Sequence, residues 1–280
     1  MNIKNTSFGE HKITFIGAGN MARSLIGGLI SNGYPSENIF CSDPNEHSLA
    51  LARNLGQIQT CVDNSQAINS ADFVVLAVKP QLVKDVLCPL RAVLANKQVV
   101  LISIAAGINC KNLNTWAGED IPIVRCMPNT PALVKSGACG MYATHNVSEL
   151  EKELVFKLMS AVGLAIWLNS ESQIDAVTAL SGSGPAYFFL FMEALKDTAQ
   201  KLGLESDIAT ILTQHTALGA ANMVMNTEDE LSELRRKVTS PNGTTHAAIK
   251  SFEENNFREI IDIAVKAAYE RSKSLTKEFE

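Results

Sequence analysis

The sequence predicts an α/β fold, a doubly wound and mostly parallel sheet followed by an all-α C-terminal part. Three observations predict it. Residues 12–30, KITFIGAGNMARSLIGGLI, pass from an apolar run through a glycine-rich turn into helical spacing. Short apolar runs then alternate with helical stretches up to residue 168. From Ser170 onward the pattern is helical, with breaks at Gly182, Gly184, Pro185, Gly203, Pro241 and Gly243.

The glycine turn is the most informative stretch. Gly17-Ala18-Gly19-Asn20-Met21-Ala22 fits the G-x-G-x-x-G/A pattern of dinucleotide-binding, Rossmann-type domains, after a strand and opening a helix. Gly17 permits a backbone angle that a side chain would forbid, Gly19 lets a diphosphate approach the main chain, and Ala22 lets the helix pack closely on the strand. The free N–H groups and positive end of that helix hold phosphates without any basic side chain. An ordinary tight strand-to-helix turn is the plainer alternative.

Residues 38–42 form a second strand, and Asp43-Pro44 opens a helix running to Gly56. Asp43 stands about 20 residues after Ala22, where the pattern places an acid on the adenosine ribose. Taken alone it favours NAD, because a carboxylate repels a 2'-phosphate unless it turns outward and leaves Ser42 and Asn45 as donors. It also suits a helix N-cap. Residues 57–61 read as a third strand, Asp63 caps a short helix, and 72–78 and 98–104 are uninterrupted apolar strands of the kind covered on both faces. Their C-terminal breaks, Lys79-Pro80-Gln81 and Ala105-Ala106-Gly107, fall on the edge of the sheet where ligands lie and leave room for a nicotinamide ring. A strand over 121–126 runs into Met127-Pro128-Asn129-Thr130-Pro131, whose two prolines hold the Asn129 amide towards a carboxamide or substrate, or simply make a turn. Residues 138–144, 147–162 and 165–168 read as strand, amphipathic helix and last strand.

In the helical part, 185–195 (PAYFFLFMEAL) and 208–225 are apolar on more than one face. One small helical domain has too little interior to cover both, so a partner subunit is expected. Ser181-Gly182-Ser183-Gly184-Pro185 reads as a flexible polar turn between apolar helices. Residues 238–245, VTSPNGTT, place Ser240, Thr244 and Thr245 beside free main-chain N–H groups before a helix, a cradle for a carboxylate beyond what one cap needs. The domains expected are 1–168, dinucleotide-binding, and 169–280, all-helical, for dimerisation and substrate binding.

Composition limits the other function classes. The 280 residues are 46% hydrophobic, with 24 basic and 29 acidic side chains and a net charge of -5. Nothing there marks a nucleic-acid partner. The N-terminal MNIKNTSFGEHK lacks a leader's apolar core and no apolar run approaches the roughly 20 residues of a membrane span, so a cytoplasmic protein with no membrane partner is expected. Cysteines 41, 61, 88, 110, 126 and 139 and histidines 11, 47, 145, 215 and 246 show no metal-ligand spacing, and buried free thiols and no metal are expected.

GAGNMA at 17–22, AVKPQ at 77–81, SIAAG at 103–107, MPNTPA at 127–132, SGSGPAY at 181–187 and VTSPNGTT at 238–245 together make the chain resemble pyrroline-5-carboxylate reductase over essentially its full length. The family usually has SPGGTT, so Asn242 is a departure, while Gly243 keeps the close backbone approach. The resemblance implies reduction of 1-pyrroline-5-carboxylate to L-proline, the last step of proline biosynthesis, and a homodimer interlocked through the helical domains, sometimes assembled into a decamer. It implies NADP(H), with NAD(H) possible, on Gly17, Ala18, Gly19, Asn20, Met21 and Ala22, after Ser42 and Asp43, at Lys79 and Pro80 and at Ala105, Ala106 and Gly107, with Asn129 beside the nicotinamide. It puts the substrate carboxylate on Ser240 and the amides of Gly243 and Thr244, and directs the Thr245 hydroxyl at the imine nitrogen as the catalytic contact. The alternatives are another imine or 3-hydroxy acid reductase of this architecture, which would carry a catalytic Lys or Asp/Tyr in the helical domain, and a dinucleotide-sensing protein without activity. Lys196 and Lys201 lie among charged residues that read as surface, and a sensor needs no substrate cradle.

Overall fold

The computed structural model describes residues 7–118 and 120–279. The stretch behind the leader expectation lies partly outside them, since residues 1–6 are not described. The first half alternates as read. In order come β1 (Ile13–Ile16), α1 (Asn20–Ser31), β2 (Ile39–Ser42), α2 (Glu46–Arg53), β3 (Gln59–Cys61), α3 (Asn64–Ala67), β4 (Phe73–Leu76), α4 (Val83–Leu94), β5 (Val100–Ser103), α5 (Cys110–Ala117), β6 (Ile123–Met127), β7 (Gly137–Ala143), α6 (Glu149–Ser160) and β8 (Gly163–Trp167).

These strands form one sheet in the order β3-β2-β1-β4-β5-β6-β7-β8. All neighbours from β3 to β6 are parallel, β7 runs antiparallel to β6 with Val124 opposite Ala143, and β8 is parallel to β7. The strand order reverses between β1 and β4, which is the switch point where a doubly wound sheet opens a crevice. β1, β4 and β5 are buried at every position, as strands covered on both faces must be. The two-residue side-chain period divides them between two clusters. Ile13, Phe15, Phe73 and Val75 pack with Leu25 and Ile26 of α1, whereas Ile16, Val74 and Leu76 pack with Leu87 and Leu90 of α4.

Helix starts are set by local side chains. Asp63 caps α3 as expected, and Ser148 and Glu151 make a reciprocal capping box on α6. The reading of Asp43 as the cap of the second helix is corrected. Asn45 caps α2, its side chain accepting from the N–H groups of His47 and Ser48, because the Asp43 carboxylate turns back to the glycine turn.

The chain forms two compact units, one reaching Ser183 and including the end of the chain from Ala268, the other Gly184–Ala267. In the first, α7 (Gln173–Val177) continues directly into a π-helical turn over Thr178–Gly182. The expectation of a flexible turn at 181–185 is thereby corrected. Ser181 Oγ donates to the Val177 carbonyl and Ser183 N–H to the Thr178 carbonyl, so hydrogen bonds replace the freedom that three small residues allow.

The second unit holds α8 (Gly184–Lys201), α9 (Ser206–Met225), α10 (Leu231–Lys237), α11 (Thr244–Glu254) and the beginning of α12 (Phe257–Glu278). It has almost no core of its own. Among its described residues only Gly184 and Ala209 are buried, while Phe188 is 69% exposed, Leu190 67% and Ile263 60%. The end of α12 packs in the first unit, where Ser272 Oγ donates to Asp175 Oδ1 at 2.7 Å and Asn112 Nδ2 to the Phe279 carbonyl at 3.2 Å.

Candidate active site

The glycine turn leaves the C-terminal end of β1 at the switch point. Gly17 has φ of 100°, and a Cβ there would lie 2.7 Å from the Ala77 carbonyl oxygen, so no other residue fits. Its N–H donates to the Ser42 carbonyl at 2.7 Å, tying the turn to β2. A Cβ on Gly19 would meet nothing within 4 Å, which leaves open space over the turn. Gly19 is the N-cap of α1 and supplies no capping side chain, so the N–H groups of the first helical turn remain for an external acceptor.

A basic side chain that the sequence did not single out also stands at this turn. The Arg23 guanidinium lies on it, Nη1 donating to the Ala18 carbonyl at 2.6 Å and Nη2 to Asn20 Oδ1 at 2.6 Å. A basic residue one turn into the helix was the available signal. Open space, uncapped N–H groups and a guanidinium together fit a dinucleotide diphosphate.

The other residues expected around the cofactor are more occupied. Asp43 Oδ2 accepts from Ala18 N–H at 2.8 Å and Oδ1 from Asn45 N–H at 2.8 Å. Ser42 Oγ donates to Asn64 Oδ1 at 2.7 Å and is buried. Lys79 is exposed and precedes a short 3-10 turn that begins with Pro80. Ala105 is buried and Ala106 partly so, whereas a Cβ on Gly107 would lie 3.2 Å from Leu275 Cβ, so Gly107 admits α12 to the edge of the sheet. Asn129 is buried, with Oδ1 accepting from Ala138 N–H at 2.8 Å and Nδ2 donating to the Ser181 carbonyl at 2.9 Å.

A pair that the sequence did not disclose stands nearby in the first unit. Arg125 on β6 is 3% exposed, and its Nη1 meets Glu171 Oε1 at 2.9 Å. The same oxygen accepts from Cys110 N–H at 2.7 Å, and burial pushes the Cys110 thiol far above its ordinary range, with the Glu171 charge adding to the effect. Such pairing permits a charge inside the sheet.

In the second unit, Gly243 is the N-cap of α11 and no side chain caps that helix. The hydroxyls of Ser240, Thr244 and Thr245 are thus not spent on the cap, and all three residues are exposed. Asn242 has φ of 60°, the left-handed conformation that glycine adopts freely and asparagine tolerates best among the rest. Its N–H donates to His246 Nδ1 at 3.3 Å.

Strands ordered 3-2-1-4-5-6 in parallel, with a glycine turn and an uncapped helix at the switch point, define a dinucleotide-binding protein of the Rossmann class. Residues 171–275 match the family model for pyrroline-5-carboxylate reductase dimerisation, and 12–107 match the model for NADP oxidoreductase, coenzyme F420-dependent. The pyrroline-5-carboxylate reductase of Pseudomonas aeruginosa is 52% identical over 95% of this chain and 97% of its own length. The Coxiella burnetii enzyme of that name superposes with a TM-score of 0.91 at 45% identity, covering 95% of this chain and 98% of that one. A Plasmodium falciparum pyrroline carboxylate reductase with NADP bound superposes with a TM-score of 0.86 at 31% identity, covering 96% of this chain and 100% of that one. The chain belongs to the pyrroline-5-carboxylate reductase family.

Proposed function

We propose that the chain reduces 1-pyrroline-5-carboxylate to L-proline with NAD(P)H, the last step of proline biosynthesis. The observation that carries this reading is the 238–245 stretch, where three exposed hydroxyls gather at a helix N-terminus that none of them caps. A sensor of dinucleotides alone has no use for such a cradle, and the names of the relatives supply the substrate.

When bound, the nicotinamide supplies the hydride, so no protein nucleophile is required. The chain's own residues bind and orient. Gly17, Ala18, Gly19, Asn20, Met21 and Ala22 hold the diphosphate, helped by Arg23, and Ser42, Asp43, Lys79, Pro80, Ala105, Ala106, Gly107 and Asn129 border the rest of the cofactor. Ser240 and the amides of Gly243 and Thr244 hold the substrate carboxylate. The Thr245 hydroxyl donates a hydrogen bond to the neutral imine nitrogen, a contact that strengthens as hydride arrival builds electron density there, and the proton that completes the amine comes from the solvent to which Thr245 is exposed.

NADPH is the preferred cofactor in this reading. Both Asp43 oxygens already accept main-chain N–H groups, which lessens the repulsion of a 2'-phosphate. The division of labour runs 1–168 for the dinucleotide and 169–280 for dimerisation and substrate. The coreless second unit supports a homodimer, with a decamer as a further assembly of such dimers. Six free cysteines support a reducing, cytoplasmic setting, and among the described residues no helix is long and apolar enough to cross a membrane.

The test is the loss of NADPH absorbance on adding 1-pyrroline-5-carboxylate, with proline identified as product. Robust turnover of a 3-hydroxy acid or an unrelated imine, with none of this substrate, would overturn the reading. NADH giving the larger kcat/KM would overturn the cofactor preference alone.

A further inference from the structure

Two charged side chains from different elements close on one residue of the glycine turn. Asp43, after β2, takes the N–H of Ala18, and Arg23, on α1, gives a hydrogen bond to the carbonyl of the same Ala18. Ala18 is fully buried, so neither of its main-chain groups has water as a substitute partner. The second oxygen of Asp43 is held by Asn45 N–H, and the second arm of Arg23 by Asn20 Oδ1. Each side chain is therefore fixed at two points.

From this arrangement we propose that Asp43 and Arg23 form a clamp on Ala18 that sets the glycine turn for the cofactor diphosphate, Asp43 being a positioning residue and not a reader of the ribose 2' position. The inference rests on the reading of dinucleotide use given above, and on no particular substrate. An acid that selects NAD offers its oxygens outward to the ribose hydroxyls and rejects the 2'-phosphate. Asp43 instead turns both oxygens to main-chain donors, one of them in the turn that the diphosphate must approach. Removing it should loosen a feature that NADPH and NADH share. Arg23 acts on the same feature from the helix side, and its charge stands near the phosphates that both cofactors carry.

The two roles give opposite results on Asp43→Ala. A clamp predicts that Kd rises for both NADPH and NADH by about tenfold or more, the scale of losing a charge-assisted hydrogen bond, with their ratio unchanged within about twofold. A ribose reader predicts tighter NADPH and weaker NADH. Kd is measured by fluorescence titration of the full chain without imine substrate, alongside amide hydrogen exchange at Ala18 in the cofactor-free protein. Exchange should quicken in Asp43→Ala and in Arg23→Ala. Asp43→Asn, which keeps an acceptor, and Arg23→Lys, which keeps the charge and one donor, should recover part of the affinity for both cofactors, and they serve where an alanine variant does not fold. A changed NADPH to NADH ratio, or unaltered Kd values and exchange, would overturn the clamp alone. A wild-type chain that binds neither dinucleotide would overturn the clamp together with the reading it rests on.

Discussion

The side chain of Asn129 joins Ser181 to Ala138, donating to the carbonyl of the first at 2.9 Å and accepting from the N–H of the second at 2.8 Å. The MPNTP turn is thereby fastened both to β7 and to the π-helical turn before α8. Asn129→Ala leaves two main-chain groups without this partner, at about 1 to 3 kcal/mol each, so a loss of about 2 to 6 kcal/mol is expected. Asn129→Asp keeps the acceptor for Ala138 but sets a carboxylate against the Ser181 carbonyl, and should be no better. Thermal unfolding checks both, with NADPH affinity as companion. An unchanged midpoint with weakened NADPH would show that the amide serves the cofactor rather than the scaffold.

Glu171→Ala strands the Arg125 guanidinium inside the sheet and removes the acceptor of Cys110 N–H. Breaking one side of a buried pair costs about 3 to 5 kcal/mol. The Arg125→Met, Glu171→Met double variant should regain most of it, because neither charge then needs a partner. Denaturant unfolding of the two single variants and the double variant measures the coupling. Purely additive losses would mean that the pair does not act as a unit.

How legible these features were in the sequence differs by their range. Phe73–Leu76 and Val100–Ser103 could be seen because burial on both faces demands an unbroken apolar run, and the glycine turn because its backbone admits few residues. Observed strands are shorter than those runs, since Phe73–Leu76 is the part of 72–78 that pairs with both β1 and β5, and Val100–Ser103 is the part of 98–104 that pairs with β4. Antiparallel β7 was not legible, because direction is a property of the pairing and not of the run itself. Arg125 with Glu171 and Asp43 with Ala18 escaped for a similar reason. Each joins residues far apart in the chain, and a charged side chain carries no local mark of its eventual partner.

Thr245→Ala separates catalysis from helix capping. Gly243 is the N-cap and no hydroxyl assists it, so the melting temperature should hardly move. Loss of one hydrogen bond to a nitrogen whose charge changes, worth about 1.5 to 3 kcal/mol, should lower kcat/KM by about ten to a hundredfold. NADPH affinity should stay as it is. Unchanged kcat/KM would remove Thr245 from the site.

The thiols give a pH signature. Burial pushes Cys41 up to about 12, with the Asp43 charge adding to it, and Cys126 well above its ordinary range. The unfolded chain ionises these thiols near pH 8.5 to 9 while the folded one keeps them protonated. Their contribution to stability is therefore full below that range and falls as pH rises through it towards 12. Unfolding measured from pH 7 to 10.5 should show this decline, lessened in Cys41→Ala once its neutral-pH stability is subtracted. Alkylation at pH 8 should label the exposed Cys88 first, and rapid labelling of Cys41 would contradict its burial.

The contacts of α12 with the first unit bear on synthesis. Asn112 waits for Phe279 and Asp175 for Ser272, and Leu275 is what fills the space beside Gly107. A ribosome delivers Ser272, Leu275 and Phe279 after all eight strands, so the nucleotide-binding sheet emerges well before one of its edges can be closed. The helices of the second unit are made in the interval. The nascent chain must keep the ends of β5 and α5 uncovered through that whole interval, with the long-range closure that makes folding slow and exposes apolar surface to chaperones.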